Sequence, residues 1–322
     1  MDKALIRKKM ESSLKWGANP YERNLKDLID FGIIVLDKPQ GPSSHDVSDT
    51  VKKVLGVEKA GHSGTLDPNV TGILVIGLNK ATKILQSLLV SGKEYICLMK
   101  VHSDIDEETA KKILASFVGK NKQLPPVKSA VKREVRERDI YSIDFIEHDT
   151  RDILFKVNCQ AGTYIRRICD DFGKKLSTGA HMQELRRTRV ANFTEDSNMA
   201  TLHSLSEAKF LYDTKGDESL LRKYIHPIEE AVESLKKIWV MDSAVSAITY
   251  GASIKVPGIA KVSEGIEKEE TIAIMTLRNE LIALATAKME SADIVKSDHG
   301  IAAVLKRVVM NKGIYPKMWK KA

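Results

Sequence analysis

The chain has 322 residues, which at roughly 150 residues per domain predicts two domains. Hydrophobic residues make up 43% and charged residues 29%, an ordinary globular composition that excludes a disordered or collagen-like chain. The formal net charge of +8 suits a protein that handles phosphate backbones, although this excess alone does not establish one.

The three cysteines, Cys97, Cys159 and Cys169, show no C-x-x-C spacing. This pattern argues against a disulfide framework and a structural zinc site, and it is typical of buried thiols in a reducing compartment. No apolar run approaches the roughly 20 residues that a membrane span needs, and the basic start lacks the apolar core of a signal peptide. We therefore expect a cytoplasmic protein with no metal site and no membrane contact.

The first half of the chain predicts alternating strands and helices, after an N-terminal segment that is too polar to form a core of its own. That segment is expected either to fray or to lie on the surface of another part of the molecule. A helix is expected from Ser43 or Ser44, which can cap it, to Gly56, which can end it. The apolar spacing also predicts strands over 32–36, 72–77 and 93–101 and helices over 81–89 and 106–118.

The second half begins with strands near 139–147 and 152–159, followed by a helix over 163–176. The basic stretch that follows is also predicted to be helical; it contains Arg186, Arg187 and Arg189.

A domain boundary is expected near 234–237, before a compact β-rich unit over 238–310. In this unit, Asp242 is expected to cap a short helix. Strands over 271–277 and 280–287 flank a polar turn and predict a hairpin, and a last strand is expected over 304–310.

The most informative segment is Gly-His-Ser-Gly-Thr-Leu-Asp-Pro at 61–68. Its glycines allow a tight loop against a ligand, and Pro68 restricts Asp67 to an extended backbone, so that the carboxylate lies on a rigid turn. Local chemistry alone favours a simple Asx-Pro turn that leads into the next strand. The missing Lys-Ser/Thr ending excludes a phosphate-binding P-loop.

The segment 61–68 and four others together resemble the TruB-type pseudouridine synthases. The catalytic loop of that family carries the motif G-H-x-G-x-L-D-P. The four other matches follow in the same order as in the family: Asp37-Lys38-Pro39 with Gly41 and Ser44, Lys93-Glu94-Tyr95, Gly162-Thr163-Tyr164-Ile165-Arg166, and Gly179-Ala180-His181 with Glu184-Leu185-Arg186-Arg187. One match would be a weak signal, whereas five in order over most of the chain indicate the family strongly.

Two further segments are similar to one branch of that family. Asn19-Pro20-Tyr21-Glu22-Arg23 resembles the N-terminal extension of the archaeal and eukaryotic dyskerin branch, and the stretch 242–258 resembles its C-terminal PUA domain. Long Lys-rich tails are missing, as expected of an archaeal H/ACA ribonucleoprotein subunit. The resemblance implies an α+β pseudouridine synthase fold with a long mixed, mainly antiparallel sheet and a central cleft, plus a small β-barrel PUA domain.

The expected division has four parts: an N-terminal extension over 1–31 that packs on the C-terminal domain, a catalytic domain over 32–236, a PUA RNA-binding domain over 237–313 and a basic tail over 314–322.

The resemblance implies an isomerase that converts uridine to pseudouridine in RNA and needs no cofactor. The substrates would be rRNA, directed by an H/ACA guide RNA, and the T-loop uridine of tRNA. The implied protein partners are a zinc-ribbon-like peptide, a glycine/arginine-family β-barrel protein and a kink-turn-binding protein. The alternatives are a non-catalytic PUA-containing RNA-binding scaffold and a stand-alone tRNA T-loop synthase.

The catalytic group implied by the resemblance is the carboxylate of Asp67, which attacks the sugar or the base or abstracts a ribose proton. In each case it must be ionised and close to the nucleotide. Arg166 would keep the carboxylate ionised and oriented. Because Arg166 has apolar neighbours, we expect a partly buried pair.

Two tyrosines are implied in the substrate pocket. Tyr95 would stack on the flipped uracil and take part in proton transfer through its hydroxyl, although a core aromatic is the commoner role for such a residue. Tyr164 would be a second aromatic in the pocket. His62 would either fill the space that the base vacates or make a loop hydrogen bond, and Lys38 would position the Asp67 loop.

The segment 122–138 holds six Lys/Arg and two Glu, half of the excess positive charge of the chain. Such a run is most often a solvated loop. The resemblance instead indicates a loop that closes on RNA and contacts phosphates through Lys128, Lys132, Arg133, Arg136 and Arg138.

Overall fold

The computed structural model describes residues 3–125, 132 and 134–317. Its strands are β1 (Ala4–Ile6), β2 (Gly32–Lys38), β3 (Ala60–His62), β4 (Thr71–Leu78), β5 (Lys93–Val101), β6 (Gly119–Gln123), β7 (Arg136–Asp149), β8 (Asp152–Cys159), β9 (Ala180–Val190), β10 (Phe193–Thr194), β11 (Ile225–Pro227), β12 (Lys237–Val240), β13 (Ile254–Lys255), β14 (Ile259–Ser263), β15 (Thr271–Thr276), β16 (Leu281–Ala287) and β17 (Ile301–Val308). Its α-helices are α1 (Leu25–Asp30), α2 (Ser44–Leu55), α3 (Leu85–Leu89), α4 (Glu107–Ala115), α5 (Ile165–Lys175), α6 (Leu202–Lys215), α7 (Ser219–Tyr224), α8 (Asp242–Thr249) and α9 (Ser291–Lys296).

A ten-stranded sheet carries most of the fold. Its strands lie in the order β11, β2, β4, β9, β5, β8, β7, β6, with β3 beside β4 and β10 beside β9. β4 and β9 pair in parallel, whereas the two strands that flank this pair, β2 and β5, join it antiparallel. The predicted α+β class with a long mixed, mainly antiparallel sheet is therefore confirmed.

A second sheet of seven strands lies in the order β1, β14, β12, β15, β16, β17, β13. The predicted hairpin is present as β15 and β16, which pair antiparallel, while β12 pairs with β15 in parallel. The N-terminal segment lies on this sheet from β1 onwards, because β1 pairs with β14 and Trp16 packs on the apolar core of the sheet. Arg278 also donates to the carbonyls of Trp16 and Gly17, at 3.1 and 3.0 Å.

Several predicted elements have nearly the expected bounds. β5 covers 93–101 as predicted, and α2 is capped by Ser43 and ends at Gly56, which takes the left-handed conformation with φ 65°. The predicted helix over 81–89 is divided into a 3-10 turn, Asn79–Ile84, and the short helix α3.

The predicted basic helix around Arg187 is wrong, because this stretch is the central strand β9. Two of its arginines are held by side chains from other parts of the fold, which lie beyond the two strands next to β9. Arg186 binds the carboxylates of Asp37 and Glu195, and Arg189 binds the amide oxygen of Asn158. Charged residues in a sheet interior hide the apolar alternation by which a strand is recognised.

The predicted capping role of Asp242 is also wrong. Asp242 is the first residue of α8 and Met241 takes the cap position. The carboxylate of Asp242 instead accepts hydrogen bonds from the Ser12 hydroxyl, at 3.0 Å, and from the Ser13 backbone N–H, at 2.8 Å. It thereby ties the N-terminal segment to the seven-stranded sheet.

The two sheets share one apolar core. Phe31, Ile33 and Val75 on the ten-stranded side belong to the same buried cluster as Met275 and Leu281 on the seven-stranded side. Since neither sheet covers this surface alone, the two parts stabilise one another.

A buried ion pair lies at the same junction. Arg23 donates to both carboxylate oxygens of Glu229, at 2.8 and 2.7 Å, and the two side chains are 9% and 8% exposed. The Glu229 oxygen that accepts from Arg23 at 2.7 Å, Oε1, also accepts a hydrogen bond from the backbone N–H of Leu281 in β16, at 2.9 Å. The pair therefore joins the N-terminal segment, the chain between the sheets and the seven-stranded sheet.

We predict that Arg23→Ala lowers the free energy of unfolding by about 3–5 kcal/mol, because it leaves a buried carboxylate without its cation. Arg151→Ala is the matched control, since Arg151 pairs with Asp104 at the surface and an exposed pair contributes about 0–1 kcal/mol. Urea unfolding of both variants measures the difference. Equal effects of the two substitutions would contradict the assigned role of Arg23.

Candidate active site

A cavity of about 360 Å³ opens where the loop after β3 meets β5, β9 and the start of α5. The residues that line it come from all four segments: Gly64, Thr65, Leu66, Asp67, Val70, Leu89, Lys93, Tyr95, Gly162, Thr163, Tyr164, Ile165, Arg166, Met182, Leu185 and Arg187. The four catalytic or aromatic residues that the sequence predicts in one pocket, Asp67, Tyr95, Tyr164 and Arg166, are all among them.

The Asp67 loop is held by a fully buried lysine. Lys38 is 0% exposed and donates to the carbonyls of Pro39, Pro68 and Val70, at 2.9, 3.1 and 3.0 Å. Burial lowers the pKa of Lys38, and the nearby carboxylate of Asp67 acts in the opposite direction. All three donors of the ammonium group are used, so Lys38 acts on the shape of the loop.

A serine from α2 holds the loop on its other side. The Ser44 hydroxyl donates to the carbonyl of Leu66 at 3.0 Å and accepts from the Leu66 N–H at 2.8 Å. The Gly41 N–H donates to the carbonyl of Pro68 at 2.9 Å. The residues on both sides of Asp67 are thus fixed before any substrate binds.

Arg187 is a site residue that was not predicted individually. It is 1% exposed, and it donates to the carbonyls of Ile73, at 2.7 Å, and Gly64, at 3.2 Å. Its only signal in the sequence is its place in the Glu184-Leu185-Arg186-Arg187 motif, where nothing distinguishes it from Arg186. Within the fold the two differ, because Arg186 binds Asp37 outside the cavity lining.

The carboxylate of Asp67 contacts the guanidinium of Arg166 across the cavity. The side chains of Asp67 and Arg166 are 53% and 42% exposed, so the pair is about half-buried, in agreement with the predicted partial burial. Arg166 lies in the first turn of α5, where Ile165, Ile168 and Cys169 face the core and leave the arginine on the open side. The pair is therefore accessible to a large substrate.

Tyr95 extends from β5 into the cavity beside Arg187. Burial raises the pKa of the Tyr95 hydroxyl, and the charge of Arg187 acts in the opposite direction. The hydroxyl is therefore protonated at neutral pH. Tyr164 caps α5 and is fixed by Gln123 of β6, whose side-chain oxygen accepts from the Tyr164 N–H at 2.9 Å.

His62 is not among the cavity-lining residues of the described chain. Its Nδ1 accepts from the Gly64 N–H at 3.4 Å, which agrees with the loop hydrogen bond rather than with a group that fills the pocket. Burial lowers the pKa of His62, with a smaller contribution from Arg187, so its ring is neutral at neutral pH.

The predicted basic contacts are only partly within the described residues. Arg136 and Arg138 lie on β7 and line a smaller cavity of about 80 Å³ that also includes Gly162 and Tyr164. Lys132 pairs with Glu134. Two further predicted contacts lie outside the described residues: Lys128 and Arg133.

Among the residues that the structure describes, no group of three or more His, Cys, Asp and Glu side chains could hold a metal ion. No helix in the same residues is long and apolar enough to cross a membrane.

Four family models match consecutive parts of the chain. They are the DKCLD (NUC011) domain at 1–48, the N-terminal domain of TruB family pseudouridylate synthases at 52–165, the C-terminal domain of tRNA pseudouridylate synthase B at 166–233 and the PUA domain at 236–309. A relative from Methanocaldococcus jannaschii named "Probable tRNA pseudouridine synthase B" is 46% identical over 320 residues, which are 99% of this chain and 95% of the relative. The chain belongs to the TruB family of pseudouridine synthases.

Solved structures place this synthase in the dyskerin-like branch. A chain in "Structure of H/ACA RNP bound to a substrate RNA containing 2'-deoxyuridine" is 44% identical and has a TM-score of 0.94, with 99% of this synthase and 98% of that chain covered. A chain in "Crystal Structure of a Cbf5-Nop10-Gar1 Complex" is 46% identical with a TM-score of 0.94, covering 99% and 97%. The predictions of a pseudouridine synthase fold with a PUA domain and of an RNA-modifying isomerase are confirmed.

We predict that stacking and proton transfer, the two roles that the family resemblance implies for Tyr95, can be separated in this synthase. Tyr95→Phe retains the aromatic face and binds RNA normally, whereas Tyr95→Leu weakens RNA binding by about 1–3 kcal/mol because base stacking is lost. Tyr95→Phe still loses at least about tenfold in single-turnover rate, because the protonated hydroxyl can no longer donate. Tyr141→Phe, an exposed tyrosine on β7, is the control. A normal single-turnover rate in Tyr95→Phe would remove the proton-transfer role.

Proposed function

We propose that this synthase isomerises uridines of ribosomal RNA under the direction of an H/ACA guide RNA, and that it also acts on the T-loop uridine of tRNA. The observation that carries the guided activity is the match over 99% of the chain to a subunit of an H/ACA RNP bound to substrate RNA. The names of the relatives support the activity on tRNA. The DKCLD match at 1–48 argues against a stand-alone tRNA enzyme.

The proposed partners are the guide RNA, rRNA and tRNA, together with three small proteins. A zinc-ribbon-like peptide and a glycine/arginine-family β-barrel protein are supported by solved complexes of similar chains with Nop10 and Gar1. The third is a kink-turn-binding protein, and we place the whole assembly in the cytoplasm.

We propose a division of labour along the chain. Residues 32–236 perform the isomerisation, residues 237–313 hold RNA, and residues 1–31 extend the second unit. The basic tail predicted over 314–322 is wrong at its start, because Tyr315 is 2% exposed, packs in the core of the seven-stranded sheet and donates to Glu280 at 2.7 Å. The pairing of β1 with β14 and the packing of Trp16 support this division for the N-terminal segment. The predicted catalytic residues all lie in the first of these units.

In the proposed mechanism, the glycosidic N–C bond of uridine breaks, the uracil turns and a C–C bond forms. Asp67 is the essential carboxylate, and its loop is fixed by Lys38 and Ser44 so that no reorganisation is needed when RNA binds. Arg166 orients the carboxylate through a charge-assisted hydrogen bond. The reacting base must leave its stack to enter the cavity, where Tyr95 and Tyr164 offer aromatic faces.

The first test is Asp67→Asn, which keeps the shape of the side chain and removes its charge. We expect RNA affinity to persist and single-turnover isomerisation to fall by about 10²–10⁴-fold or more, the range for a positioned acid or base. Asp104→Asn, an exposed aspartate outside the cavity lining, should remain active. Turnover of Asp67→Asn above about a hundredth of the wild-type rate would exclude Asp67 as the essential carboxylate.

The second test concerns phosphate contacts of the strand β7. Arg136→Ala with Arg138→Ala should lower the slope of log affinity against log salt by about 1.4–1.8 units, because each phosphate contact contributes about 0.7–0.9. The control is Lys111→Ala with Arg151→Ala, two exposed cations outside both cavities that pair with acidic side chains. An unchanged slope in the Arg136 and Arg138 variant would mean that these arginines are only solvated.

A further inference from the structure

A second buried ammonium group lies in the wall of the cavity. Lys93, the first residue of β5, is 5% exposed and donates to the carbonyls of Leu88, Leu89 and Ser91, at 3.1, 2.7 and 2.7 Å. No carboxylate in the described residues pairs with it. A buried charge with only carbonyl partners is costly, so this arrangement needs a reason beyond packing.

Leu88 and Leu89 are the last two residues of α3, and Ser91 lies in the turn that leads to β5. The last carbonyls of a helix have no partner within it, so Lys93 supplies their donors. This segment, called the 88–91 turn, presents Leu89 to the cavity. A Cβ on Gly64 would lie 3.3 Å from Leu89 Cδ1, and Gly64 has a φ of +135°. Leu89 therefore packs closely on a position of the catalytic loop that only glycine tolerates, three residues before Asp67. Leu89 is also 42% exposed, so its place at the rim is not dictated by burial.

The charge of Lys93 matters to this turn because of the donor count. A protonated amine has three N–H groups for three carbonyls, whereas a neutral amine has two and directs a lone pair at the third. Burial lowers the pKa of Lys93 to about 8, with a further contribution from Arg187, while the Cys159 thiol on β8 acts in the opposite direction. Besides these groups, Asp67, Tyr95, Tyr164 and Arg166 are the titratable or charged side chains that line the same cavity.

We propose that Lys93 is a positioning residue for the isomerisation: its ammonium group fixes the 88–91 turn, so that Leu89 closes the cavity wall against Gly64 beside Asp67. This inference rests on the proposed function of the cavity. Lys93 touches neither the base nor the sugar in this role. It acts on the reacting nucleotide through Leu89 and the catalytic loop.

The test compares Lys93→Met, Lys93→Arg and Leu89→Ala by RNA affinity and single-turnover rate. Lys100→Met is the matched control, because Lys100 is on the same strand, at its other end, and pairs with Asp152 at the surface. We expect RNA affinity within about twofold of wild type in all four. Lys93→Met and Leu89→Ala should lose about 10- to 100-fold in rate, the cost of a misplaced reacting group, and Lys100→Met should lose nothing.

The pH profile separates a positioning charge from mere packing. The wild-type rate should fall above about pH 8, where Lys93 loses its proton, whereas Lys93→Arg stays charged and should show no such fall. A fall retained in Lys93→Arg would assign the titration to another group and overturn the proposal. A wild-type rate in Lys93→Met or in Leu89→Ala would overturn it equally.

A thermal melt first shows which variants fold. If Lys93→Met does not, Leu89→Ala decides the question, because truncating a rim side chain leaves the core intact. An inactive wild-type protein would instead contradict the proposed function, whereas an active wild type with unaffected variants contradicts only the role of Lys93.

Discussion

The position of the Asp67 carboxylate depends on the buried ammonium group of Lys38. Its three hydrogen bonds reach the carbonyl of Pro39, directly after β2, and those of Pro68 and Val70, which follow Asp67 in the loop. Removing such a charge leaves several buried carbonyls without a donor, and each unsatisfied group costs about 1–3 kcal/mol. The loop between β3 and β4 has no regular secondary structure. The hydrogen bonds of Lys38 therefore fix its shape, as backbone hydrogen bonds between strands fix the shape of a sheet.

A fixed loop is useful only if the RNA arrives in register with it. The seven-stranded sheet shares an apolar core with the ten-stranded sheet, and Arg23, Glu229 and Leu281 connect them through buried hydrogen bonds. The proposed RNA-holding unit is thereby rigidly placed relative to Asp67, so that contacts to phosphates far from the cavity determine which uridine enters it. Removing the seven-stranded sheet would expose to water Phe31 and Ile33, which share a buried cluster with Met275. The activity of a truncated chain would therefore depend on its lower stability as well as on the loss of the proposed RNA-holding unit.

Much of this arrangement follows from the sequence, and the exceptions have physical reasons. The bounds of β5 and the capping of α2 were predictable because alternation, Ser43 and Gly56 are local signals. β9 was misread because its arginines are satisfied by partners that are distant in sequence, which no local pattern reveals. The partial burial of the Asp67 and Arg166 pair could be predicted from the apolar neighbours of Arg166 in α5, which face the core.

The side chains that line the cavity carry charges of both signs, with positive charge in excess. Asp67 is the single carboxylate among the lining residues in the described part of the chain, and Lys93, Arg166 and Arg187 are the cations. Two of these three cations, Lys93 and Arg187, are buried and bind carbonyls, so their positions do not depend on the half-exposed pair of Asp67 and Arg166. A net positive, partly enclosed cavity attracts the phosphates that flank a flipped base before any base contact forms. The same buried cations that shape the walls would therefore also attract the substrate towards Asp67, the carboxylate that we propose to be essential.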